Sequence, residues 1–166
     1  KAGDILETHE AVPLARPRAL PADQIPEYGS DIRLRAVPGP QDDYFDQGLE
    51  ALFATPYMVT PKADRMGYRL MGEKIAIKKG MPQSIVSEPS VPGAIQIPAD
   101  QQPIILLVEQ TVGGYAKIAT VISSDIGRVA QATPGDMVRF EKIHLETAHA
   151  IYRDEKKRLA RLTDLF

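Results

Sequence analysis

The sequence predicts a mainly β protein with a few helices, arranged as a barrel or a sandwich. Three observations carry this. After residue 56 the chain runs through a series of short, strand-length segments: Tyr57–Thr60, Tyr68–Met71, Lys74–Lys78, Ser84–Glu88, Ala94–Pro98, Ile104–Glu109, Tyr115–Ile122 and Met137–Ile143. Turn residues separate them, namely Gly72, Gly80, Pro89, Pro92-Gly93, Gly113-Gly114 and Pro134-Gly135, and closely spaced short strands close into layered or barrel sheets. Helical periodicity is confined to Asp43–Ala54, Asp125–Ala132 and the end of the chain.

Taken in order, Asp4–Glu7 reads as a short strand after a glycine turn. Residues 11–30 hold Pro13, Pro17, Pro21 and Pro26. Proline removes a backbone donor and fixes φ, so this stretch is a linker. Ile32–Val37 alternates apolar residues with Arg33 and Arg35, a period-2 strand ended by Pro38-Gly39-Pro40. In the first helix Phe45, Leu49, Leu52 and Phe53 make one apolar stripe, Asp42 or Asp43 is the N-cap, and Thr55-Pro56 is the stop. The short helix at Asp125 takes Ser124 or Asp125 as N-cap. The final helix, His144–Phe166, lines up Leu145, Ala148, Tyr152, Leu159 and Leu162, with Lys156, Lys157, Arg158 and Arg161 near the negative end of its dipole.

Composition removes several function classes. The chain has 166 residues, 20 Lys+Arg against 22 Asp+Glu, and a net charge of −2. A general nucleic-acid binder needs a basic excess, and 6% aromatic residues without Trp supply little base-stacking surface. Cys is absent, which excludes disulfides, thiolate catalysis and thiolate zinc sites and is compatible with the cytosol. The longest apolar run, Ile104–Val108, is far short of the roughly 20 residues that cross a bilayer. No secretory leader is evident and the first residue is Lys1, so the sequence reads as a piece of a longer protein.

The segment from Ile104 to Ile122 is the most informative for chemistry. Ile104–Val108 is apolar on both faces, as a central strand is, and it leads into Glu109-Gln110-Thr111-Val112-Gly113-Gly114-Tyr115. Two glycines permit positive φ and close approach of a ligand to backbone N–H groups, which can cradle an oxyanion. Gln110 and Thr111 offer hydrogen bonds beside them, and Lys117 a cation. A plain Gly-Gly hairpin turn is the structural alternative. A second cluster is Asp64-Arg65-Met66-Gly67-Tyr68, where Arg65 can bind a carboxylate or pair with Asp64, and Tyr68 can cover the core. In Gly93–Pro98, Gln96 points opposite to Ile95 and Ile97, inside or outside a barrel. His144 and His149 are five positions apart, which puts their rings on different faces of a helix and excludes a zinc-protease pair. Metal ligands are not expected. A phosphate-binding GxxxxGK[ST] is absent, so ATP would be bound by another chain.

Several blocks in one order carry a resemblance: the Pro-Gly-Pro-Gln of Ile32–Gln41, Asp64-Arg65-Met66-Gly67-Tyr68-Arg69-Leu70, Gly93-Ala94-Ile95-Gln96-Ile97-Pro98, Gln110-Thr111-Val112-Gly113-Gly114-Tyr115, Lys117-Ile118-Ala119 and Pro134-Gly135-Asp136-Met137-Val138-Arg139-Phe140. The order resembles the KipA family over about residues 1–145, as its C-terminal half. This family is also known as the 5-oxoprolinase C component, as allophanate hydrolase subunit 2 and as biotin-dependent carboxyltransferase-like proteins. The resemblance implies a cyclophilin-like closed β-barrel over 31–143, with 1–30 as the end of a preceding half plus linker and 144–166 as a C-terminal helix. It implies an oligomeric, cytoplasmic assembly with a KipI-like partner (the 5-oxoprolinase B component) and a LamB/YcsF-like protein (the A component). Such complexes cleave the lactam of 5-oxoproline with ATP. Val112 stands where the family usually has a second Thr, Ala63 replaces a frequent Ser and Ala116 a frequent Pro.

Two functions compete on this basis. In the first, the chain is a hydrolase component whose pocket, lined by Arg65, Tyr68, Gln96, Thr111, Gly113, Gly114, Tyr115 and Lys117, binds a small amide or lactam that ATP activates. Catalytic residues are not assigned. In the second, a KipA-type regulatory protein only docks a KipI-like kinase inhibitor. Biotin-dependent carboxyl transfer is a third option; the chain carries no Met-Lys-Met attachment motif, so biotin would come on another domain.

Overall fold

The computed structural model describes residues 2–5, 7 and 19–163. Nine strands form: β1 (Asp31–Pro38), β2 (Tyr57–Ala63), β3 (Gly67–Met71), β4 (Glu88–Pro89), β5 (Ala94–Ile97), β6 (Ile104–Leu106), β7 (Val112–Gly113), β8 (Ala116–Val121) and β9 (Met137–Lys142) among the described residues. Seven of them close into a barrel in the order β1-β8-β5-β6-β3-β2-β9. The other two, β4 and β7, pair only with each other as a small ribbon. The helices are α1 (Asp46–Ala54), α2 (Ile126–Gln131) and α3 (Leu145–Thr163).

Alternation decides what fills the barrel. Ile32, Leu34 and Ala36 of β1 turn inward, while Arg33 and Arg35 face out. Ile95 and Ile97 of β5, Ile105 of β6 and Ile118 of β8 meet them in one continuous core. The interior is therefore side chains, not a channel. Closure comes from β1 and β9, which run parallel from Asp31↔Met137 to Ala36↔Lys142. Arg35 ties the outside of this seam to the segment before α2. Its Nε donates to Asp125 Oδ2 at 2.9 Å, its Nη2 donates to Oδ1, and its backbone N–H donates to Oδ2 at 2.8 Å. This bidentate pairing raises the arginine pKa against the opposing effect of partial burial.

Several expected elements change in the structure. Asp4, Ile5 and Glu7 form no strand, and Leu6 lies outside the described residues. The first helix starts later than its acidic N-cap candidates: Asp42–Tyr44 is a separate 3-10 turn, and Phe45, buried in the core, precedes α1. Lys74–Lys78 is not a strand. Ile75 is buried and its N–H donates to Gln101 O, but no ladder forms. Of Ser84–Glu88 only Glu88 is paired. β6 ends at Leu106, and Val108 is 70% exposed, so the strand read to Glu109 is three residues shorter. β2 runs past Pro61 because the β2–β3 register shifts between Val59 and Ala63, a bulge that tolerates the missing N–H. Asp125 does precede α2, but its carboxylate goes to Arg35 and caps nothing. On α3, only Ala148 of the expected apolar face is buried; Leu145, Tyr152 and Leu159 are exposed.

Candidate functional site

The chain leaving β6 does not make a hairpin into β8. It swings out, and β7 pairs with β4 through Glu88↔Gly113 and Pro89↔Val112. The ribbon lies against the outer face of β5 and β8, because its residues meet side chains that point away from the core. Gln96 and Lys117 are register partners across β5 and β8, on the face opposite Ile95, Ile97, Ala116 and Ile118. Lys117 Nζ donates to Glu88 Oε1, Gln41 Nε2 donates to the same oxygen at 3.1 Å, and the backbone N–H of Lys117 donates to Gln41 Oε1 at 3.0 Å. Lys117 is 5% exposed. Its ammonium, followed by the Gln41 amide, holds the Glu88 carboxyl below its ordinary pKa.

Neither glycine of the corner has positive φ. Their small size serves close packing instead. A Cβ on Gly113 would run into Gln96 Nε2, and one on Gly114 would press on Ile85 O at 3.2 Å and Ser87 Oγ at 3.3 Å. The expectation that the pair supplies left-handed backbone is thus corrected; what it supplies is room for an amide.

Beside the ribbon opens a groove of about 410 Å³, a size that suits a small molecule. Gln96, Gly113, Gly114 and Tyr115 line one side. Ile104 and Leu106 form an apolar floor, clustered with Ala94 on the outer face of the sheet. Lys62, Asp64, Met66, Gly67 and Arg69 come from the β2–β3 side. The Asp64 carboxylate is committed to its turn, accepting from the N–H groups of Met66 at 2.8 Å and Gly67 at 3.2 Å. Arg69 reaches Asp100 at only 3.7 Å, with both side chains substantially exposed. Gln110 Nε2 donates to Val112 O and stiffens the loop.

The other sequence-predicted residues sit around or away from this groove. Arg65 is at the tip of the β2–β3 turn, 85% exposed, and pairs with Glu109 at 3.2 Å, not with Asp64. Thr111 is exposed, and its carbonyl accepts from Ser90 N–H. Lys117 lies under the ribbon, engaged with Glu88. Tyr68 is on the core side of β3, and its hydroxyl donates to Ala130 O at 3.4 Å, away from the groove. Sequence reasoning misses Lys62 and Arg69. Arg69 was findable, because it alternates with Tyr68 onto the Gly67 face. Lys62 was hidden by Pro61, which reads as a strand end. Among the described residues no three His, Asp or Glu are grouped to hold a metal.

Residues 1–142 match the family described as carboxyltransferase domain, subdomain A and B. The chain belongs to this family. It is 30% identical over 159 residues to the 5-oxoprolinase C component of Escherichia coli (strain K12), covering 93% of this chain and 51% of that protein. It is 34% identical over 134 residues to the 5-oxoprolinase C component of Haemophilus influenzae, covering 76% of this chain and 43% of that protein. The chain thus spans about half the length of these carboxyltransferase-domain relatives. Among solved structures, the K. lactis urea amidolyase superimposes with a TM-score of 0.77 at 25% identity, over 85% of this chain and 9% of that one. TTHA0988 does so with a TM-score of 0.64 at 36% identity, over 79% and 25%. The barrel is therefore the carboxyltransferase-domain fold. No helix among the described residues is long and apolar enough to cross a membrane.

Proposed function

We propose that this chain contributes the small-molecule site of an ATP-dependent hydrolase that opens a cyclic amide or a urea-like C–N bond, with ATP bound by partners of the 5-oxoprolinase A and B type. One observation carries the reading: a groove of about 410 Å³ is lined by the glycine corner and by the cations Lys62 and Arg69, in a chain similar to two 5-oxoprolinase C components. The chemistry divides accordingly. The glycine corner receives the neutral end of the substrate, while Lys62 and Arg69 face an anionic group. Fixing the amide in one orientation removes the entropy cost of presenting its oxygen to the phosphoryl donor. The apolar floor of Ile104 and Leu106 keeps water from that side. Assembled with its partners, wild-type protein should cleave 5-oxoproline with ATP, and Gly114→Val, which crowds Ile85 and Ser87, should lower turnover at least about tenfold. Unchanged turnover would remove the groove from the mechanism.

Carboxyl transfer is the second reading, favoured by the family description and by the likeness to urea amidolyase. The groove has room for a ureido ring between the glycine corner and the apolar floor of Ile104 and Leu106. Carboxybiotin, when bound, supplies the carboxyl group; the glycine corner would hold the ureido ring and Lys62 and Arg69 would attract the carboxylate.

A further inference from the structure

α3 is attached to the barrel by one narrow face. Ala148 is buried, Ile151 and Glu155 are half-buried beside the 3-10 turn Ser123–Asp125, and Arg158 Nη1 donates to Gln24 Oε1 at 3.1 Å. A second row stands beside this face, in solvent. Leu145, Tyr152 and Leu159 are 54%, 44% and 43% exposed. They are seven positions apart. Seven steps of about 100° return to within about 20° of the start, so the three side chains stand in one line about 21 Å long. Single exposed leucines are ordinary on a protein surface, but a line of three at heptad spacing is the pattern of a helix–helix seam. The line is one residue wide and flanked by Glu146, His149, Arg153 and Lys156. It therefore lacks the broad apolar face with which a helix lies on a membrane. Its two ends differ in charge: the first turn carries Glu146, and the last two turns carry Lys156, Lys157 and Arg161.

We propose that this row is an interaction surface for a second copy of the same chain, with the two α3 helices antiparallel about a two-fold axis at Tyr152. Two observations choose that partner. The row is symmetric about its centre. An antiparallel copy sets Leu145 against Leu159 of the partner subunit and Tyr152 against the partner's Tyr152, which is the self-complementarity that a two-fold interface requires. The charges match in the same orientation. The Glu146 end, which is also the positive end of the helix dipole, meets the basic, negative-dipole end of the second copy, whereas a parallel pair brings the two basic ends together. A wholly acidic helix from another protein would suit the basic end and repel Glu146. Lys156 Nζ stands 5.4 Å from the Tyr152 ring centroid, so its charge is already held beside the seam. No α3 residue lines the groove at the glycine corner, so pairing leaves one groove open on each copy, and the inference does not depend on what the groove binds. The seam is shorter than the interface of a tight dimer, so the dissociation constant is on the order of 10–100 μM.

Sedimentation of the full chain from about 5 to about 500 μM should show monomer passing to dimer. Tyr152→Glu should weaken the dimer at least about tenfold. At the lowest concentration it should keep the helix content and thermal midpoint of the parent, because the ring lies outside the face packed on the barrel. Glu146→Lys alone and Arg161→Glu alone should each weaken the dimer about threefold, and the two together should restore it, an outcome that a parallel pair does not give. In a mixture of isotope-labelled and unlabelled chains, methyl contacts should appear between Leu145 of one copy and Leu159 of the partner subunit. Within one helix these residues are about 21 Å apart, beyond the reach of such a contact. Monomer at every concentration overturns the proposal and leaves the row to another protein or to the further half that the relatives carry. A dimer that Tyr152→Glu leaves intact overturns it by placing the interface elsewhere, and contacts from Leu145 to Leu145 alone overturn the antiparallel arrangement. Concentration-independent shifts of the row on adding phosphatidylcholine vesicles overturn it in favour of a membrane. Should Tyr152→Glu lose helix, the charge exchange decides, since Glu146 and Arg161 are both exposed; a double variant no tighter than the single ones overturns the proposal.

Discussion

Asp125 is 1% exposed, and both of its carboxylate oxygens are bonded to Arg35. Gln96 is as deeply buried and leaves its donor empty. The two polar side chains answer to different demands: the first closes a structural account, the second leaves one open. Removing the satisfied one should therefore be costly. Asp125→Ala strands the Arg35 guanidinium and should lower unfolding free energy by about 3 kcal/mol in urea titrations; a loss under about 1 kcal/mol would mean that the exposed third of Arg35 recovers its hydration. Sequence reasoning sees Gln96 as an alternating polar residue but not its face, because period-2 alternation gives two sides without saying which is the core. It likewise places Tyr68 and Gln96 in one pocket, while strand β3 sends Tyr68 to the other side. Asp125 was legible as a residue before a helix, yet its partner lies 90 positions away, beyond any local pattern.

The ribbon is the element on which the groove depends. The pairs Glu88↔Gly113 and Pro89↔Val112 hold its two strands to each other, and the Glu88–Lys117–Gln41 cluster holds it to the barrel. Because the folded-state pKa of Glu88 lies below its ordinary 4.5, its contribution is complete above that value and is lost as pH falls through the lowered one. Amide signals of 88, 112 and 113 should therefore move together on acidification below about pH 4.5. In Glu88→Gln this acid step should vanish, and a persisting step would assign the transition to another group. The same element shows where strand reading fails. Ser84–Ser87 and Lys74–Lys78 have the residue types of strands, but isolated hydrogen bonds such as Ile85 N–H to Gly114 O satisfy them without a ladder. Pairing is a property of two segments, and only the half of it that shows as alternation, as in β1, can be read from one.

At the scale of the molecule, closure is non-local. β1 and β9 are parallel neighbours joined through the whole intervening chain, and nothing in either segment names the other; the closed barrel was legible only through the family resemblance. Its integrity rests on the inward row of β1. Leu34 is fully buried, so Leu34→Ala should cost about 2–5 kcal/mol of stability by chemical denaturation. By contrast α3 buries little besides Ala148. A chain ending at His144 should keep the barrel, with a thermal midpoint within about 5 °C of the parent; unfolding of that variant would show that the helix is a structural strut. A stable barrel whose interior is fully packed leaves its outer surface for ligands. Besides the groove, that surface has a cleft at Arg33 and Arg139 and another at Arg35 and Arg158.

The most direct test is where a lactam touches the protein. Titration of the isotope-labelled chain with 5-oxoproline, read residue by residue in the amide spectrum, should concentrate the shifts on Arg69, Gln96, Gly113 and Gly114. Shifts gathered instead around Arg33 and Arg139, or around Arg35 and Arg158, would contradict the account.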